Sequence, residues 1–496
     1  MSPAGSSDIS ERLAELEQLG LGRRLRMISG PQGPRVLLDG RPVLLMCSNN
    51  YLGLADHPRV REAAAEAAMR WGVGAGASRL VSGTMTIHRR LEDRLAAFKG
   101  SEGAILFGSG YLANLGVIGA LAGRDGVVFS DELNHASIVD GCRLSRARIA
   151  IYRHRDVEHL DWCLRRHGDR ASERLIVTDS VFSMDGDVAP LGDIVELAEM
   201  HGARVVVDEA HAIGNLGPGG RGAVADAGLE GEIDVVVGTL GKALGSYGAY
   251  ACASAEMVRY LINAARSLIF STAPGPPAIA GALAALEILE ERPHRVARLR
   301  SNARALRGAL SAEGFPIAET DMHIVPLVVG DERDAMSLCQ RAIERGVFAQ
   351  AIRPPTVPAG TSRLRLTTMA SHTRGELAKA AKVFGSAARE LSLDLSAMGP
   401  AVAEPPRLRE LELAEASSEA YVERVELPAS PIGDRPFDAE RELRAVEGPG
   451  EETMPFDAER EPVAATARDE DGVASDRGER PSGSAPFDFE RDARAA

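Results

Sequence analysis

The sequence is poor in features that would place it in several common classes of protein. It has only five cysteines among 496 residues, and none of them forms a Cys-x-x-Cys pair. Such an odd, scattered set does not make a disulfide framework, so we expect reduced thiols and a cytoplasmic location. The first 20 residues contain no basic stretch followed by an apolar one, so no signal peptide is predicted.

Long apolar runs and basic segments rich in aromatic residues are also missing. No window approaches the ~18 uninterrupted apolar residues that a membrane-spanning helix needs. No cluster of basic residues is interleaved with aromatic side chains, as nucleic-acid binding would favour. The net charge of -14 comes almost entirely from residues 401–496, which contain 25 Asp or Glu and 12 Arg. The sequence therefore predicts neither a nucleic acid nor a membrane as partner.

Seven strand-like apolar runs stand between about residues 60 and 270. Each run is continuous rather than alternating, which indicates a sheet covered on both faces. The runs are AILFG, GVVFSD, RIAIY, RLIVTDS, RVVVDEAH, DVVVGT and YACAS. Because helix-like stretches separate them, they predict an α/β fold with a mostly parallel sheet. Ligands of such sheets bind beyond the carboxyl ends of the strands.

Flanking segments complete the predicted organisation. Residues 1–48 read as a helix and two short strands around an Asp-Gly turn, and residues 49–285 as the large domain. A long helical stretch is predicted over 277–307, and strand–helix–strand signals predict a smaller α+β domain over 286–396. Residues 397–496 hold too few apolar side chains to offset the entropy of ordering a chain, so we predict a disordered acidic tail.

The predicted tail repeats one short motif. Its core, Pro-Phe-Asp-x-Glu-Arg, occurs at 436–441, 455–460 and 486–491, at unequal spacing. One interpretation is a low-complexity tail that serves only to solvate the chain. The other is a docking motif, with the Phe as anchor in an acidic frame, for a partner that the sequence does not name. Both interpretations stay open.

Lys242 follows the apolar run DVVVGT and lies among glycines, alanines and a serine. An amine held at the end of a buried strand can form a Schiff base with a carbonyl. Asp208 ends the run RVVVDEAH, and a buried carboxylate there can pair with the ring nitrogen of pyridoxal phosphate (PLP). Glu209 should point to the other side of the strand and is not chosen.

Other residues suited to PLP follow the remaining strands. In chain order they are Gly108, Gly110, Tyr111, His135, Ser183 and His211. The Gly-Ser-Gly turn that leads into a helix exposes N–H groups suited to a phosphate. A flat side chain over the PLP ring and hydrogen-bond donors at the ring oxygen would complete the contacts that the cofactor needs. Each feature is weak alone, but their positions after successive strands predict one PLP site.

Six motifs, in this order and spacing, resemble those of the α-oxoamine synthase family of fold-type-I PLP enzymes. They are SNNYLGL (48–54), GSGYLAN (108–114), NHASI (134–138), FSMDGD (182–187), DEAHAIG (208–214) and GTLGKALG (238–245). The resemblance spans residues ~20 to ~390. It implies the decarboxylative condensation of an amino acid with an acyl thioester, in a homodimer with a shared active site.

The resemblance also implies a role for each matching residue. The implied cofactor contacts are Gly110, Tyr111, His135, Ser183, Asp208, His211, Thr239, Lys242 and, from the second subunit, Thr272. Lys242 would form the Schiff base and later act as base, Asp208 would hold the ring nitrogen, and His135 would stack on the ring. Ser183 and His211 would contact the ring oxygen. The remaining residues of the set would hold the phosphate.

Within the family, the stretch AIRPPTVPAGTSRLRLT (351–367), supported by FSTAPGPP (270–277), favours a particular pair of substrates. These are L-alanine and pimeloyl-CoA or pimeloyl-acyl carrier protein, as used in biotin biosynthesis. Arg353 would bind the amino-acid carboxylate through its guanidinium, with Asn49 nearby. The candidates for the cation that the pimeloyl carboxylate needs are Arg23, Arg24 and Arg26. A solvated basic face is the alternative interpretation of these three arginines.

Two alternatives to this function stay open. The first is another acyl transfer of the same family, such as that of glycine with acetyl-CoA or of serine with palmitoyl-CoA. The second belongs to a different class: a scaffold or docking protein that acts through its tail and carries the PLP domain along. No metal site is predicted.

Overall fold

The structure, a computed structural model, describes residues 9–18, 20–168 and 171–398. They belong to one unit, Met1–Glu426, and the second unit, Leu427–Ala496, lies outside the described residues. The predicted disorder of 397–496 and the three repeats therefore concern a part of the chain that is almost wholly outside the described residues. No helix in the described ranges is long and apolar enough to cross a membrane.

The described residues contain 14 strands. In chain order these are β1 Ile28–Ser29, β2 Arg35–Leu38, β3 Arg41–Leu45, β4 Gly103–Phe107, β5 Val127–Asp131, β6 Arg148–Tyr152, β7 Arg174–Asp179, β8 Arg204–Asp208, β9 Val235–Thr239, β10 Ala249–Ala253, β11 Ile324–Gly330, β12 Val347–Phe348, β13 Ala351–Ile352 and β14 Ser362–Thr367.

The same ranges contain 14 α-helices. In chain order these are α1 Ile9–Gln18, α2 Pro58–Trp71, α3 Thr86–Lys99, α4 Gly110–Leu121, α5 Ala136–Ser145, α6 Val157–Gly168, α7 Leu191–His201, α8 Ala223–Ala227, α9 Ala255–Ala264, α10 Arg266–Ile269, α11 Pro276–Glu291, α12 His294–Ala312, α13 Glu332–Glu344 and α14 Arg374–Glu390.

A seven-stranded sheet forms the centre, in the order β4-β10-β9-β8-β7-β5-β6. β10 is antiparallel to both of its neighbours, while β9, β8, β7, β5 and β6 pair in parallel. All seven predicted apolar runs are strands of this sheet, which confirms the α/β class. Every residue of β5, β9 and β10 is buried, as expected of strands covered on both faces.

Two smaller sheets hold the remaining strands. β1, β2, β3 and β12 form one, and β11, β14 and β13 form the other. The predicted turn between β2 and β3 has φ 48° at Asp39 and 78° at Gly40, the left-handed pair that a two-residue hairpin favours. β2 and β3 share an apolar core with α13 and α14. The N-terminal strands thus pack with the C-terminal elements, and the boundaries at 48, 285 and 396 stay predictions.

One predicted element differs from the structure. The single helical stretch over 277–307 is two helices, α11 and α12, separated at Arg292 and Pro293. Proline has no N–H to donate, and its ring disfavours helical backbone at the residue before it. α11 therefore ends at Glu291, although apolar and charged residues continue the helical pattern beyond it.

Candidate active site

Lys242 lies in a tight turn that follows β9 at the carboxyl edge of the central sheet. Gly245 in this turn has φ 60°, and a Cβ there would lie 2.3 Å from the backbone nitrogen of Ala55. Only glycine allows both this backbone conformation and this close approach. The small residues around Lys242 therefore let the turn pack directly on the segment that follows SNNYLGL.

The amine of Lys242 is in an environment that favours its neutral form. Its Nζ lies 2.8 Å from Nε2 of His211. Burial lowers the pKa of Lys242 to about 8, although the carboxylates of Asp208 and Asp179 oppose the shift. A larger fraction of this amine is therefore unprotonated near neutral pH than for an ordinary lysine, as a nucleophile or base requires.

A chain of hydrogen bonds leads from His211 to a buried guanidinium. The Tyr51 hydroxyl lies 2.7 Å from Nδ1 of His211, donates to Asn49 Oδ1 at 2.9 Å and accepts from Arg365 Nη2 at 3.3 Å. Because the Tyr51 hydrogen is directed to Asn49, Nδ1 of His211 is the donor to Tyr51. Nε2 is then free to accept from Lys242. Burial, reinforced by the charge of Lys242, lowers the pKa of His211 well below its usual value and keeps the ring neutral.

Asp208 ends β8 with its carboxylate fixed by two donors. Oδ1 accepts from the backbone N–H of Ala210 at 2.7 Å, and Oδ2 accepts from Asn114 Nδ2 at 2.7 Å. Glu209 points away from this carboxylate, as predicted, and forms a buried ion pair with Lys99. The carboxylate of Asp208 thus lies on the site side of the strand end, and Asp179 is its register partner on β7.

His135 begins α5 and lies beside the same strand ends. Its Nδ1 accepts from the backbone N–H of Ser137 at 3.2 Å and lies 2.7 Å from the Ser137 hydroxyl. Its backbone N–H donates to Asp179 Oδ2 at 2.7 Å. Burial lowers the pKa of His135, although the charge of Asp208 opposes the shift, so the ring is flat and uncharged near Asp208.

The first turn of α4 has backbone N–H groups without a partner inside the helix, and Asn114 of this helix reaches Asp208. Ser109 caps the helix by accepting from Leu112 N at 3.3 Å, and the space beside Gly110 is open, with nothing within 4 Å of an added Cβ. Thr239, at the end of β9, donates its hydroxyl to Gly248 O at 3.2 Å.

Two other predicted phosphate contacts are placed differently. The hydroxyl of Tyr111 donates to Asp140, and the residue is largely exposed. Thr272 is exposed and bridges to Ser78 in a short antiparallel contact. Neither side chain contacts Lys242 or Asp208 through a hydrogen bond in the described ranges.

Comparison with known proteins identifies the family. The profile "Aminotransferase class I and II" matches residues 41–384. The 8-amino-7-oxononanoate synthase of Geobacter sulfurreducens is 51% identical over 78% of this chain and 99% of its own length. That of Geobacter metallireducens is 53% identical over 76% of this chain and 96% of its own length. The chain belongs to the α-oxoamine synthases, within the class I and II aminotransferase family.

Solved structures agree with this membership. The α-oxoamine synthase fold seen here superposes with TM-score 0.73 on the serine palmitoyltransferase of Sphingomonas wittichii, which is 35% identical; the match covers 77% of this chain and 97% of that one. A structure described as SPT with PLP gives 0.74 at 37% identity, covering 78% and 98%. The 8-amino-7-oxononanoate synthase of Francisella tularensis gives 0.61 at 26% identity, covering 71% and 99%.

This α-oxoamine synthase is a PLP-dependent enzyme, and its site fits that cofactor. A lysine amine of lowered pKa, a fixed carboxylate and an open helix start are the groups that an aldehyde, a pyridinium nitrogen and a phosphate require. Lys242, Asp208 and Gly110 supply them at the ends of three elements of one sheet edge.

The predicted substrate residues are only partly brought together. Asn49 lies beside Tyr51, at the end of the chain of hydrogen bonds away from Lys242, and no hydrogen bond joins it to Arg353 in the described residues. The guanidinium of Arg353 instead donates to the carbonyls of Gly20 and Gly22, the latter at 3.1 Å. Arg365 is the guanidinium beside Asn49, with Nη1 at 3.0 Å from Asn49 Oδ1.

Arg365 and Tyr51 are the site residues that sequence reasoning missed. Both lie inside stretches that carried the resemblance, SRLRLT and SNNYLGL, so a signal was present. Three arginines, Arg353, Arg363 and Arg365, stand in one short segment, and spacing alone does not tell which of them faces Lys242. All three are buried, but Arg363 is paired with Asp185, whereas Arg365 donates to uncharged groups of Ser183, Asn49 and Tyr51. A buried arginine with uncharged partners is the clearer sign of a bound anion.

The three N-terminal arginines remain apart from this cluster. Arg23 is exposed and lies 3.5 Å from Pro354 O, and Arg24 is exposed. Arg26 pairs with Asp39 at 3.5 Å and lies over the ring of Phe348. No hydrogen bond or ion pair joins them to Arg365 or Lys242 in the part of the chain that the structure describes.

Proposed function

We propose that this enzyme is an 8-amino-7-oxononanoate synthase, which condenses L-alanine with a pimeloyl thioester and releases CO2 and the free thiol. The observation that carries the proposal is a buried guanidinium, Arg365, joined through Tyr51 and His211 to the amine of Lys242. An amino acid whose carboxylate binds Arg365 would present its Cα toward that amine. The choice of alanine and pimeloyl rests on the relatives at about 50% identity that bear this name.

The chain's own residues divide the work as follows. Lys242 would hold PLP through its amine, Asp208 at the ring nitrogen, and Ser183 and His211 at the ring oxygen. His135 would lie on the ring face. Bound PLP supplies the electron sink that makes the Cα proton of an amino acid acidic enough to remove.

Phosphate binding is proposed for the start of α4 and the end of β9. Gly110 and Thr239 would contact the phosphate directly, since N–H groups at a helix start and a hydroxyl suit an anion. Tyr111 would act there only after its hydroxyl leaves Asp140. Thr272 would act from the second subunit.

Lys242 would also move the proton. Its unprotonated Nζ would accept the Cα proton, and a pKa of about 8 makes this form accessible near neutral pH. Neutral His211, with Nε2 as acceptor, would orient the amine and take part of the positive charge that the amine gains.

Arg365 would bind the amino-acid carboxylate, with Asn49 beside it. A guanidinium can grip a carboxylate through two parallel hydrogen bonds, which fixes orientation as well as position. Arg353 would serve the N-terminal segment whose carbonyls it holds. The pimeloyl carboxylate is assigned to Arg23 or Arg24, whose exposed guanidinium groups leave them free to meet an incoming anion.

We also propose a homodimer with a shared site. The segments 73–81 and 270–275 lie together, since Ala273 N donates to Ala77 O at 3.0 Å. They expose Val73, Val81 and Phe270 at 77%, 79% and 71%. Contiguous exposed apolar side chains favour a protein partner. A second copy on this face would bring Thr272 to a neighbouring site.

A cytoplasmic location is also proposed, and the five free cysteines support it.

Release of free thiol by the purified protein tests the reaction. We expect L-alanine with pimeloyl-CoA to be turned over far better than glycine with acetyl-CoA or L-serine with palmitoyl-CoA. The carrier-protein thioester should be run beside pimeloyl-CoA, since both remain candidate donors. Activity confined to another pair would keep the reaction class and overturn the assigned substrates.

We further propose that the tail binds a protein partner, because one motif occurs in it three times. Truncation after Met398 tests this. Unchanged thiol release together with loss of a partner that the full chain binds would support a docking role. If the truncated chain loses only solubility, the tail is a solvating segment.

A further inference from the structure

His154, in the loop after β6, lies between two carboxylates outside the site described above. Its Nδ1 is 3.0 Å from Asp131 Oδ1, and its Nε2 is 2.8 Å from Asp187 Oδ2. Neutral imidazole has a single N–H, so it can donate to one carboxylate only. Contact with two carboxylates through both nitrogens therefore requires the imidazolium.

The surroundings of His154 are consistent with a positive charge. The backbone N–H of His154 donates to Glu132 at 2.9 Å, and the ring meets Phe182 edge-on with centroids 4.3 Å apart. Burial alone would lower the pKa of His154, but the hydrogen bonds and charges of Asp131 and Asp187 outweigh it and raise the pKa to about 9.

Arg155 adds a second cation to the same two carboxylates. Its backbone N–H donates to Asp131 Oδ2 at 2.9 Å, and its Nη1 donates to Asp187 Oδ2 at 3.1 Å. The backbone of Arg155 has φ 58°, a conformation that a residue with a Cβ adopts at a cost. We call His154, Arg155, Asp131 and Asp187 the carboxylate clamp.

The clamp joins two loops that carry proposed site residues. Asp131 ends β5, four residues before His135, and Asp187 lies four residues after Ser183. The loop 182–187 is closed on itself, because Phe182 N donates to Asp187 O at 3.0 Å. A shift of Asp187 would therefore move the whole loop.

The same loop is held from its other side by β14. Arg363 forms an ion pair with Asp185, and Nε of Arg365 donates to the carbonyl of Ser183. Arg365 thus has its orientation set partly by loop 182–187 and partly by Asn49 and Tyr51. The loop lies between the clamp and the guanidinium proposed to bind substrate.

We propose that His154 is a positioning residue: through Asp187 it fixes the loop 182–187, so that Ser183 and Arg365 keep the places that cofactor and amino acid require. The inference rests on the proposed function for the role of Arg365, and on the geometry of the clamp for the rest. The side chain of His154 hydrogen-bonds to Asp131 and Asp187, and within the described residues no hydrogen bond joins it to Lys242, Asp208 or His211.

The variant His154→Gln tests the proposal, with His201→Gln as matched control. Gln keeps one donor but carries no charge. His201 resembles His154 in being half-buried and paired with a carboxylate, Asp161 at 3.0 Å, but it lies on α7 and touches no site loop. The first readout is KM against kcat for the amino acid. We expect KM to rise roughly 3- to 30-fold in His154→Gln and to stay within twofold in His201→Gln.

The second readout does not depend on turnover. The dissociation constant of PLP from the full-length apoprotein should also rise in His154→Gln, because Ser183 belongs to the same loop. If wild-type protein shows no thiol release with alanine and pimeloyl-CoA, the proposed function fails, while PLP affinity still decides the clamp. If PLP affinity and KM both match those of wild type although the melting temperature falls, His154 is only structural and the proposal is overturned.

The third readout is the pH dependence of stability of the apoproteins. Because the pKa of His154 is raised in the folded protein to about 9, its contribution is full below the unfolded value of about 6.5 and is lost as pH rises through 9. The difference in melting temperature between wild type and His154→Gln should therefore shrink between pH 6.5 and 9.5. A constant difference across this range would contradict a charged clamp.

Discussion

Nζ of Lys242 and Nε2 of His211 lie 2.8 Å apart, and His211 is in turn tied to Tyr51. When Tyr51 donates to Asn49, only one arrangement of protons satisfies Lys242, His211 and Tyr51. Nζ of Lys242 donates to Nε2 of His211, and Nδ1 of His211 donates to the Tyr51 hydroxyl. The pair therefore links the amine proposed to perform the chemistry to the residues that would hold the amino acid.

Lys242→Ala should abolish thiol release, because it removes both the amine that holds PLP and the proposed base. We expect the rate to fall by roughly three orders of magnitude or more. The measurement is thiol release beside a thermal melt of the apoprotein, which should show a folded chain. Normal turnover by this variant would contradict the proposed mechanism.

Tyr51→Phe should break the chain of hydrogen bonds that joins Lys242 to Arg365. Loss of the hydroxyl leaves Nδ1–H of His211 and Nη2 of Arg365 without that partner, and a buried donor left unsatisfied costs about 1–3 kcal/mol. We expect roughly 10- to 100-fold lower kcat/KM for the amino acid, with the thioester KM little changed. Steady-state kinetics with each substrate varied in turn provide the check. An unchanged profile would mean that His211 needs no second partner.

Two conservative substitutions decide which arginine binds the amino-acid carboxylate. Lysine keeps the charge but loses the paired N–H groups, so Arg365→Lys should raise the KM for alanine by at least about tenfold. Arg353→Lys should affect that KM less and stability more, because Arg353 holds the carbonyls of Gly20 and Gly22. The reverse order would return the carboxylate to Arg353, as the sequence alone suggested.

Lys242→Met should change the pH dependence of apoprotein stability in a definite direction. The pKa of Lys242 is lowered to about 8 in the folded protein, so burial of its charge costs stability below pH 8. That cost disappears as pH rises from 8 toward the unfolded value near 10.5. Lys242→Met should thus be more stable than wild type by up to about 3 kcal/mol at pH 7, and the advantage should shrink above pH 8.

Denaturant titrations of both apoproteins across this pH range provide the measurement. An advantage that grows with pH would contradict a lowered pKa, since a neutral amine costs less to bury than an ammonium. Both samples must be free of PLP, because a ligand that binds only the folded state stabilises it further.

The sequence was sufficient for the central sheet and for the residues at its strand ends. A strand made of a continuous apolar run is buried on both faces, which indicates a parallel sheet. The residues that follow such strands then lie at the carboxyl edge of the sheet. That rule predicts Lys242 and Asp208 at this edge, and the resemblance of GTLGKALG and DEAHAIG implies their roles. Nothing comparable applies to Arg365, which reaches Asn49 across 316 residues of chain. Which of the three arginines on this short segment faces Asn49 depends on how β14 packs, and the local pattern does not encode it.

The break between α11 and α12 shows a different limit. The residues on both sides of Pro293 continue one helical pattern, so the pattern alone does not reveal that the missing N–H ends the helix here. The clamp around His154 could not be predicted either, because its members come from the end of β5 and from two separate loops. Their meeting depends on the neighbouring positions of β6, β5 and β7 in the sheet, an order that strand patterns do not reveal.

The pairing of β3 with β12 has a consequence for how the protein is made. Leu44 lies opposite Val347, so the hairpin of β2 and β3 leaves the ribosome about 300 residues before its neighbour does. At roughly 5–20 residues per second, it waits about 15–60 seconds with Val43, Leu44 and Leu45 uncovered. During that interval the apolar face of the hairpin is open to a chaperone, although the hairpin is among the first segments to emerge.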